Sequence, residues 1–167
     1  MKNTLTLALA LLALVATTGC GPKDSSSSGT TAAAPAPQSG PRTIEITAGD
    51  DMKYSVTAIE AKPGEEITVI LTNKGTQPKE VMGHNWILLK AGVDAAAFDA
   101  AAVQAGATKD YFPADKADQV LQHIPLMGPR KSGQVTFKVP TEPGEYTFLC
   151  SFPAHFQVGM KGTLTVK

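Results

Sequence analysis

From residue 42 to 167 the sequence predicts an all-β domain, an antiparallel sandwich carrying one small helical insertion. Three observations lead there. Short runs alternate apolar with polar side chains, the period-two pattern of strands that bury one face. Pro-Gly turns, Lys62-Pro63-Gly64-Glu65 and Glu142-Pro143-Gly144-Glu145, separate several of these runs. A single Ala-rich stretch in the middle interrupts the alternation and favours helix instead.

Two segments of different character precede the domain. Met1-Lys2-Asn3 gives a short positive start, Leu5 to Ala16 is an apolar run, and small residues Thr17-Thr18-Gly19 lead to Cys20. That is the layout of a bacterial secretory signal over residues 1–19. The apolar run falls short of the roughly 20 residues that cross a bilayer. Its small-Gly-Cys ending resembles a lipoprotein signal, which implies that Cys20 becomes the lipid-bearing first residue of the mature chain. Ordinary cleavage near Gly19, with an incidental cysteine, is the plainer alternative. Residues 20–41 are rich in Ser, Ala and Pro and nearly devoid of large apolar side chains. Such a stretch buries too little surface to offset its ordering entropy, so it is expected to be a flexible tether with a reach of roughly 25 Å.

Within the domain, Ile44 and Ile46 alternate with Thr43, Glu45 and Thr47, and Tyr54 to Ile59 alternates likewise. Glu66 to Asn73 is rich in β-branched residues and stops at Asn73-Lys74-Gly75; His84-Asn85-Trp86 starts another strand. Val135, Phe137 and Val139, then Tyr146 to Cys150, then Gly162 to Val166 complete the set. The pattern breaks from Ala91 to Pro125, where Asp94 is placed to cap a helix reaching Ala107. The expected role of that insertion is packing on the sandwich.

Composition narrows the function. The chain has 15 Lys and Arg against 15 Asp and Glu, which argues against a nucleic-acid binder that must neutralise a run of phosphates. Two cysteines in unlike contexts, Cys20 and Cys150, make a disulfide framework improbable. No paired carboxylates and no nucleophile–base motif suggest an enzyme. Trp86, Tyr111, Tyr146 and six Phe suffice to anchor one core.

The chemistry is concentrated near the C-terminus. Cys150-Ser151-Phe152-Pro153-Ala154-His155-Phe156-Gln157-Val158-Gly159-Met160 puts a thiol, an imidazole and a thioether on one loop between two strands. Met82-Gly83-His84-Asn85-Trp86 supplies a second imidazole. Each residue alone is more often packing or surface, but two His, one Cys and a weak axial Met together are the donor set of a blue-copper electron-transfer site. Soft sulfur suits Cu(I), and imidazole suits both oxidation states. Zinc is the chemical rival, although its structural sites generally take four Cys or His ligands. A binuclear centre needs two bridging thiolates, and only Cys150 lies in the domain. His123, in Leu121-Gln122-His123-Ile124-Pro125, has no neighbouring ligand pattern and reads as a non-ligand.

Val81-Met82-Gly83-His84-Asn85-Trp86, Cys150 to His155, and Met160-Lys161-Gly162-Thr163-Leu164-Thr165-Val166 resemble the azurins and auracyanins, over about residues 42 to 167. The resemblance implies a cupredoxin Greek-key β-sandwich with a small helical insertion and one type 1 copper ion near one end. It implies His84, Cys150 and His155 as equatorial ligands, Met160 as the weak axial ligand, and the Gly83 carbonyl facing the metal from the other side. Asn85 would tie its loop to the ligand loop at Cys150 and Ser151, and Trp86 would belong to the core. Azurins usually place three residues between the last His and the Met; this chain has four, as auracyanin and plastocyanin do, and it lacks the cysteines of the azurin disulfide.

The function so implied is one-electron transfer by cycling Cu(II) and Cu(I), in a non-enzymatic, monomeric domain of the bacterial periplasm or cell envelope, held to the membrane through Cys20. The partners would be redox proteins such as a c-type cytochrome or a terminal reductase or oxidase. They would dock on an apolar patch around His155 formed by Met82, Phe152, Pro153, Ala154, Phe156 and Val158. A copper storage or delivery protein is the alternative, but such proteins usually offer exposed Met/His or Cys-x-x-Cys clusters, which this chain lacks. A component of a copper nitrite reductase would need more histidines than the three present.

Overall fold

Alternating burial turns the sequence pattern into strands. In β1 (Arg42–Ala48) Ile44, Ile46 and Ala48 point inward, and in β3 (Glu66–Asn73) Ile67, Val69 and Leu71 do the same with no exposure at all. The computed structural model describes residues 40–167. The signal segment, Cys20 and nearly all of the tether lie outside the described residues.

Two sheets form the domain. One has three strands in the order β1-β3-β6, with β6 at Ser132–Lys138. The other has five, in the order β2-β8-β7-β4-β5. Their ranges are β2 Ala58–Ala61, β4 His84–Leu89, β5 Val120–Met127, β7 Gly144–Leu149 and β8 Lys161–Val166. Ile46, Ile67, Val69 and Leu71 of the first sheet share one core with Trp86, Leu88, Phe148 and Leu164 of the second. Trp86 is fully enclosed, with the rings of Phe148 and Phe137 at 5.6 and 6.3 Å.

Three sequence expectations need correction. The sandwich is mixed rather than antiparallel: β1 pairs with β3, and β2 with β8, in parallel. In both cases the partners are separated along the chain by strands of the other sheet, and side-chain alternation carries no information about strand direction. Tyr54 to Ile59 is not one strand. Tyr54 makes a single bridge to Ala48, and regular pairing begins only at Ala58. Its buried ring instead projects its hydroxyl to the Asn85 carbonyl.

The helical insertion also ends earlier than Pro125. Helix α2 spans Ala95–Ala105, short 3₁₀ turns follow at Ala107–Lys109 and Ala114–Gln119, and β5 begins at Val120. Asp94 caps α2, its Oδ1 accepting from the backbone N–H groups of Ala96 and Ala97 at 2.9 and 3.2 Å. Pro125 disguises β5. It sits where the ladder slips, between the His84–Met127 and Trp86–Ile124 pairs, on the outermost strand of its sheet. A bulge on an edge strand is where a missing N–H is tolerated.

Phe98, Asp99 and Ala102 form the buried face of α2. Phe98 packs with Ile87, Leu89 and Leu149 in a second, smaller core, which also receives Phe156 from the loop between β7 and β8. The insertion therefore touches both the sandwich and the loop that carries the donor residues.

Candidate metal centre

The donor residues sit at strand ends, where backbone direction is set by the sheet. His84 is the first residue of β4, Cys150 directly follows β7, and Met160 directly precedes β8. Between them the loop folds on its own backbone. Cys150 donates to the Met160 carbonyl at 3.1 Å, and Met160 donates to the His155 carbonyl at 2.9 Å. His155 donates to Phe152 at 3.0 Å and Val158 to Ala154 at 3.1 Å. Tight turning puts Ala154 at φ 71° and Gly159 at φ 97°, conformations that glycine adopts freely and alanine rarely.

This folding brings one thiol and two imidazoles together. The donor atoms of His84, Cys150 and His155 lie within 4.8 Å of one another, and all three residues are buried. Cys150 Sγ is 3.4 Å from His155 Nδ1, and the two imidazole centroids are 4.9 Å apart. Neither ring nitrogen of His84 has a hydrogen-bond partner. Buried polar atoms in native proteins nearly always have one, so an unpartnered imidazole beside a thiol and a second imidazole fits a metal ion held through one of its nitrogens.

Electrostatics points the same way. Burial pushes the Cys150 thiol up to about 12, so without metal it is a neutral S–H at ordinary pH. Burial, then repulsion from His84, holds the His155 imidazole down to about 4. Burial also lowers His84, opposed by the Gly49 carbonyl and the nearby carboxylates of Asp50 and Asp51. All three donors are therefore uncharged at neutral pH in the metal-free protein. They offer lone pairs to a soft cation rather than a negative cage for a hard one.

A hydrogen-bonded frame surrounds the cluster. Asn85 Nδ2 donates to Ser151 Oγ at 2.8 Å, and the Ser151 N–H donates to Asn85 Oδ1 at 2.9 Å. Ser151 Oγ donates in turn to the Tyr111 carbonyl at 2.7 Å. Asp110 and Tyr111 are both held at positive φ, 52° and 54°, and Lys79 pairs with Asp110 at 2.8 Å. Gly83 is buried where a Cβ would fall 2.6 Å from the Lys79 carbonyl and 2.9 Å from Leu126 Cγ, so no larger residue fits. Met160 is fully buried beside the cluster's loop. His123 is exposed, stacks on Phe112 at 4.6 Å and is not part of the donor cluster.

The apolar residues around the loop divide into two groups. Val158 is 55% exposed, Ala154 is exposed, and Met82, Pro153 and Phe156 are half-buried. Phe152 faces inward, its ring 4.7 Å from His155 and 5.1 Å from Tyr111. His155 itself is only 1% exposed. Val81, 56% exposed on the short helix α1 (Lys79–Met82), is a further apolar surface residue that sequence reasoning missed. It also missed the framing residues Tyr54 and Tyr111 and the pair Asp99–Gln157. An exposed Val beside Met82 carried a readable signal; the others did not, because their roles depend on contacts distant in sequence.

Comparisons with known proteins agree on one family. Residues 42–167 match the family model described as copper binding proteins, plastocyanin/azurin family. Azurin of Pseudomonas aeruginosa is 38% identical over 127 residues, covering 74% of this chain and 84% of that protein. Auracyanin-A of Chloroflexus aurantiacus is 35% identical over 130 residues, covering 77% of this chain and 76% of its own. The crystal structure of dithionite-reduced auracyanin from Roseiflexus castenholzii superposes with a TM-score of 0.67 at 37% identity, covering 77% of this chain and 99% of that one.

Proposed function

Because the chain belongs to the plastocyanin/azurin family of copper-binding proteins, we propose that His84, Cys150 and His155 would hold its copper ion, with the Met160 thioether and the Gly83 carbonyl as further, weak donors. The protein is a one-electron carrier with a single type 1 copper site, and not an enzyme. When bound, the metal supplies the Cu(II)/Cu(I) couple. The protein residues supply the rest. His84 and His155 present neutral imidazoles, and Cys150 gives up its proton on metal binding, which makes loading pH-dependent. Asn85, Ser151 and Tyr111 brace the donor loops against rearrangement as charge changes. Burial of all three donors keeps bulk water and substrates away from them.

The observation that carries the ligand assignment is the convergence of one donor atom each from buried His84, Cys150 and His155 within 4.8 Å, with the His84 ring unpartnered. Loading the metal-free protein with Cu(II) tests it. An intense blue absorption with reversible one-electron voltammetry is expected. A pale complex that readily passes its copper to a chelator would indicate a delivery protein.

The finer reading concerns partners and place. Val81, Met82, Pro153, Ala154, Phe156 and Val158 supply apolar surface on the loops flanking His84 and His155, and redox encounters are small, typically below about 1,200 Å². These residues are the docking patch for redox proteins, and the balanced charge of the chain suits docking by apolar contact. Among the described residues no helix is long and apolar enough to cross a membrane. Attachment rests on Cys20: lipidation there would tether the carrier in the cell envelope by its Ser/Ala/Pro-rich segment. The mass of the mature N-terminus decides this, and an unacylated terminus overturns it.

A further inference from the structure

Asp99 is an acidic residue on the inner face of α2, only 1% exposed. One of its oxygens, Oδ2, accepts a hydrogen bond from Gln157 Nε2; the other, Oδ1, is buried without a partner. Gln157 lies two residues beyond His155 and three before Met160, in the stretch that carries the four-residue spacing. The preceding residue, Phe156, packs in the small core built around Phe98, which neighbours Asp99 on α2. Helix α2 thus grips this stretch twice, once by an apolar contact and once by a hydrogen bond. A buried carboxylate is costly, and packing alone does not explain an acid where leucine or alanine would seat the helix better.

We propose that Asp99 is a positioning residue for the metal centre: through Gln157 it latches the loop between His155 and Met160 onto α2 and so fixes the approach of both donors. The helical insertion then belongs to the frame of the site rather than being an ornament on the sandwich. Burial also raises the Asp99 carboxyl above its ordinary range, opposed by the bond from Gln157, in keeping with its enclosure. The effect on the metal rests on the ligand assignment above; the effect on the loop does not.

Three variants separate geometry from fold. Asp99→Val removes the latch and leaves no orphaned polar group. Gln157→Ala removes it from the exposed partner and leaves α2's own sequence intact. Asp99→Asn keeps an oxygen that accepts from Gln157. The first measurement uses metal-free protein and follows the reaction of the buried Cys150 thiol with a disulfide reagent. Loss of a hydrogen bond to a charged group should speed that reaction about tenfold in Asp99→Val and Gln157→Ala, with Asp99→Asn within about twofold of wild type. The second uses copper-loaded protein. The first two variants should alter the copper EPR signal and change the Cu(II)/Cu(I) ratio at a fixed ambient potential by about threefold or more, and Asp99→Asn should restore the wild-type EPR signal.

Thiol protection unchanged in both Gln157→Ala and Asp99→Val overturns the proposal, whatever the stability of the variants. Altered thiol access with an unchanged EPR signal and ratio leaves the latch standing but overturns its role at the metal. Failure of the wild-type protein to show type 1 copper spectra would instead refute the ligand assignment.

Discussion

Asn85 and Ser151 stand 66 residues apart in the chain yet exchange two hydrogen bonds, side-chain amide to hydroxyl at 2.8 Å and backbone N–H to side-chain carbonyl at 2.9 Å. Each belongs to a residue adjoining a donor: Asn85 follows His84, and Ser151 follows Cys150. Beyond the pairing of β4 with β7, the two donor loops are therefore tied together through the Asn85 side chain.

Replacing that side chain tests the brace. Asn85→Ala leaves the buried Ser151 N–H without a partner, which should destabilise the metal-free protein by about 2 kcal/mol. Denaturant titration at fixed pH checks it. A midpoint equal to wild type would mean that Ser151 is held by Tyr111 alone.

The two sulfur residues should behave differently. Cys150→Ser is expected to abolish the blue band, because a hydroxyl is a poor substitute for thiolate. Met160→Leu should keep both the copper and most of the colour while raising the reduction potential, since an apolar neighbour favours Cu(I). Spectrophotometry and voltammetry of the two variants read this out, and an unchanged potential in Met160→Leu would place its thioether off the metal.

Docking is tested by adding charge without touching the donors. Val158→Asp or Val81→Asp should slow electron self-exchange on the order of tenfold, because two copies would bring like charges together. The absorption spectrum should remain nearly unchanged. Steady exchange rates in both variants would move the contact to another face.

The metal-free protein should lose stability in mild acid. His155 titrates near 4 when folded against an ordinary value of 6.5, so the unfolded chain binds more protons between those two values. Stability contributed by this group is fully present above pH 6.5, falls as pH drops toward 4, and is flat below that. His84 is shifted in the same direction by burial. Thermal melts of wild type and His155→Gln across this range provide the check: the difference between them should shrink on acidification.

The donor loop was legible because it is nearly continuous in sequence: Cys150, His155 and Met160 fall within one turn between two strands, and only His84 comes from elsewhere. The helix cap at Asp94 was equally local. What escaped was non-local or disguised. Pro125 hid β5 because a proline argues against a strand unless that strand is an edge, and edge position is a property of the sheet. Tyr54 read as a strand residue, although its hydroxyl serves the Asn85 carbonyl across 31 residues of chain. The parallel pairings of β1 with β3 and β2 with β8 could not be read from alternation, which is blind to direction. Asp99 looked like one more polar residue in an Ala-rich helix, and nothing local announced its bond to Gln157.

Pro125 has a consequence of a different kind. The outer rim of a sheet is a template on which another chain can add a strand, the first step toward ordered aggregation. On β5 that rim carries a residue without an N–H, at the point where the strand slips in register against β4 on its inner side. A neighbouring molecule finds no regular ladder to continue there, so many copies can be crowded together and meet only in the brief contacts that passing an electron requires.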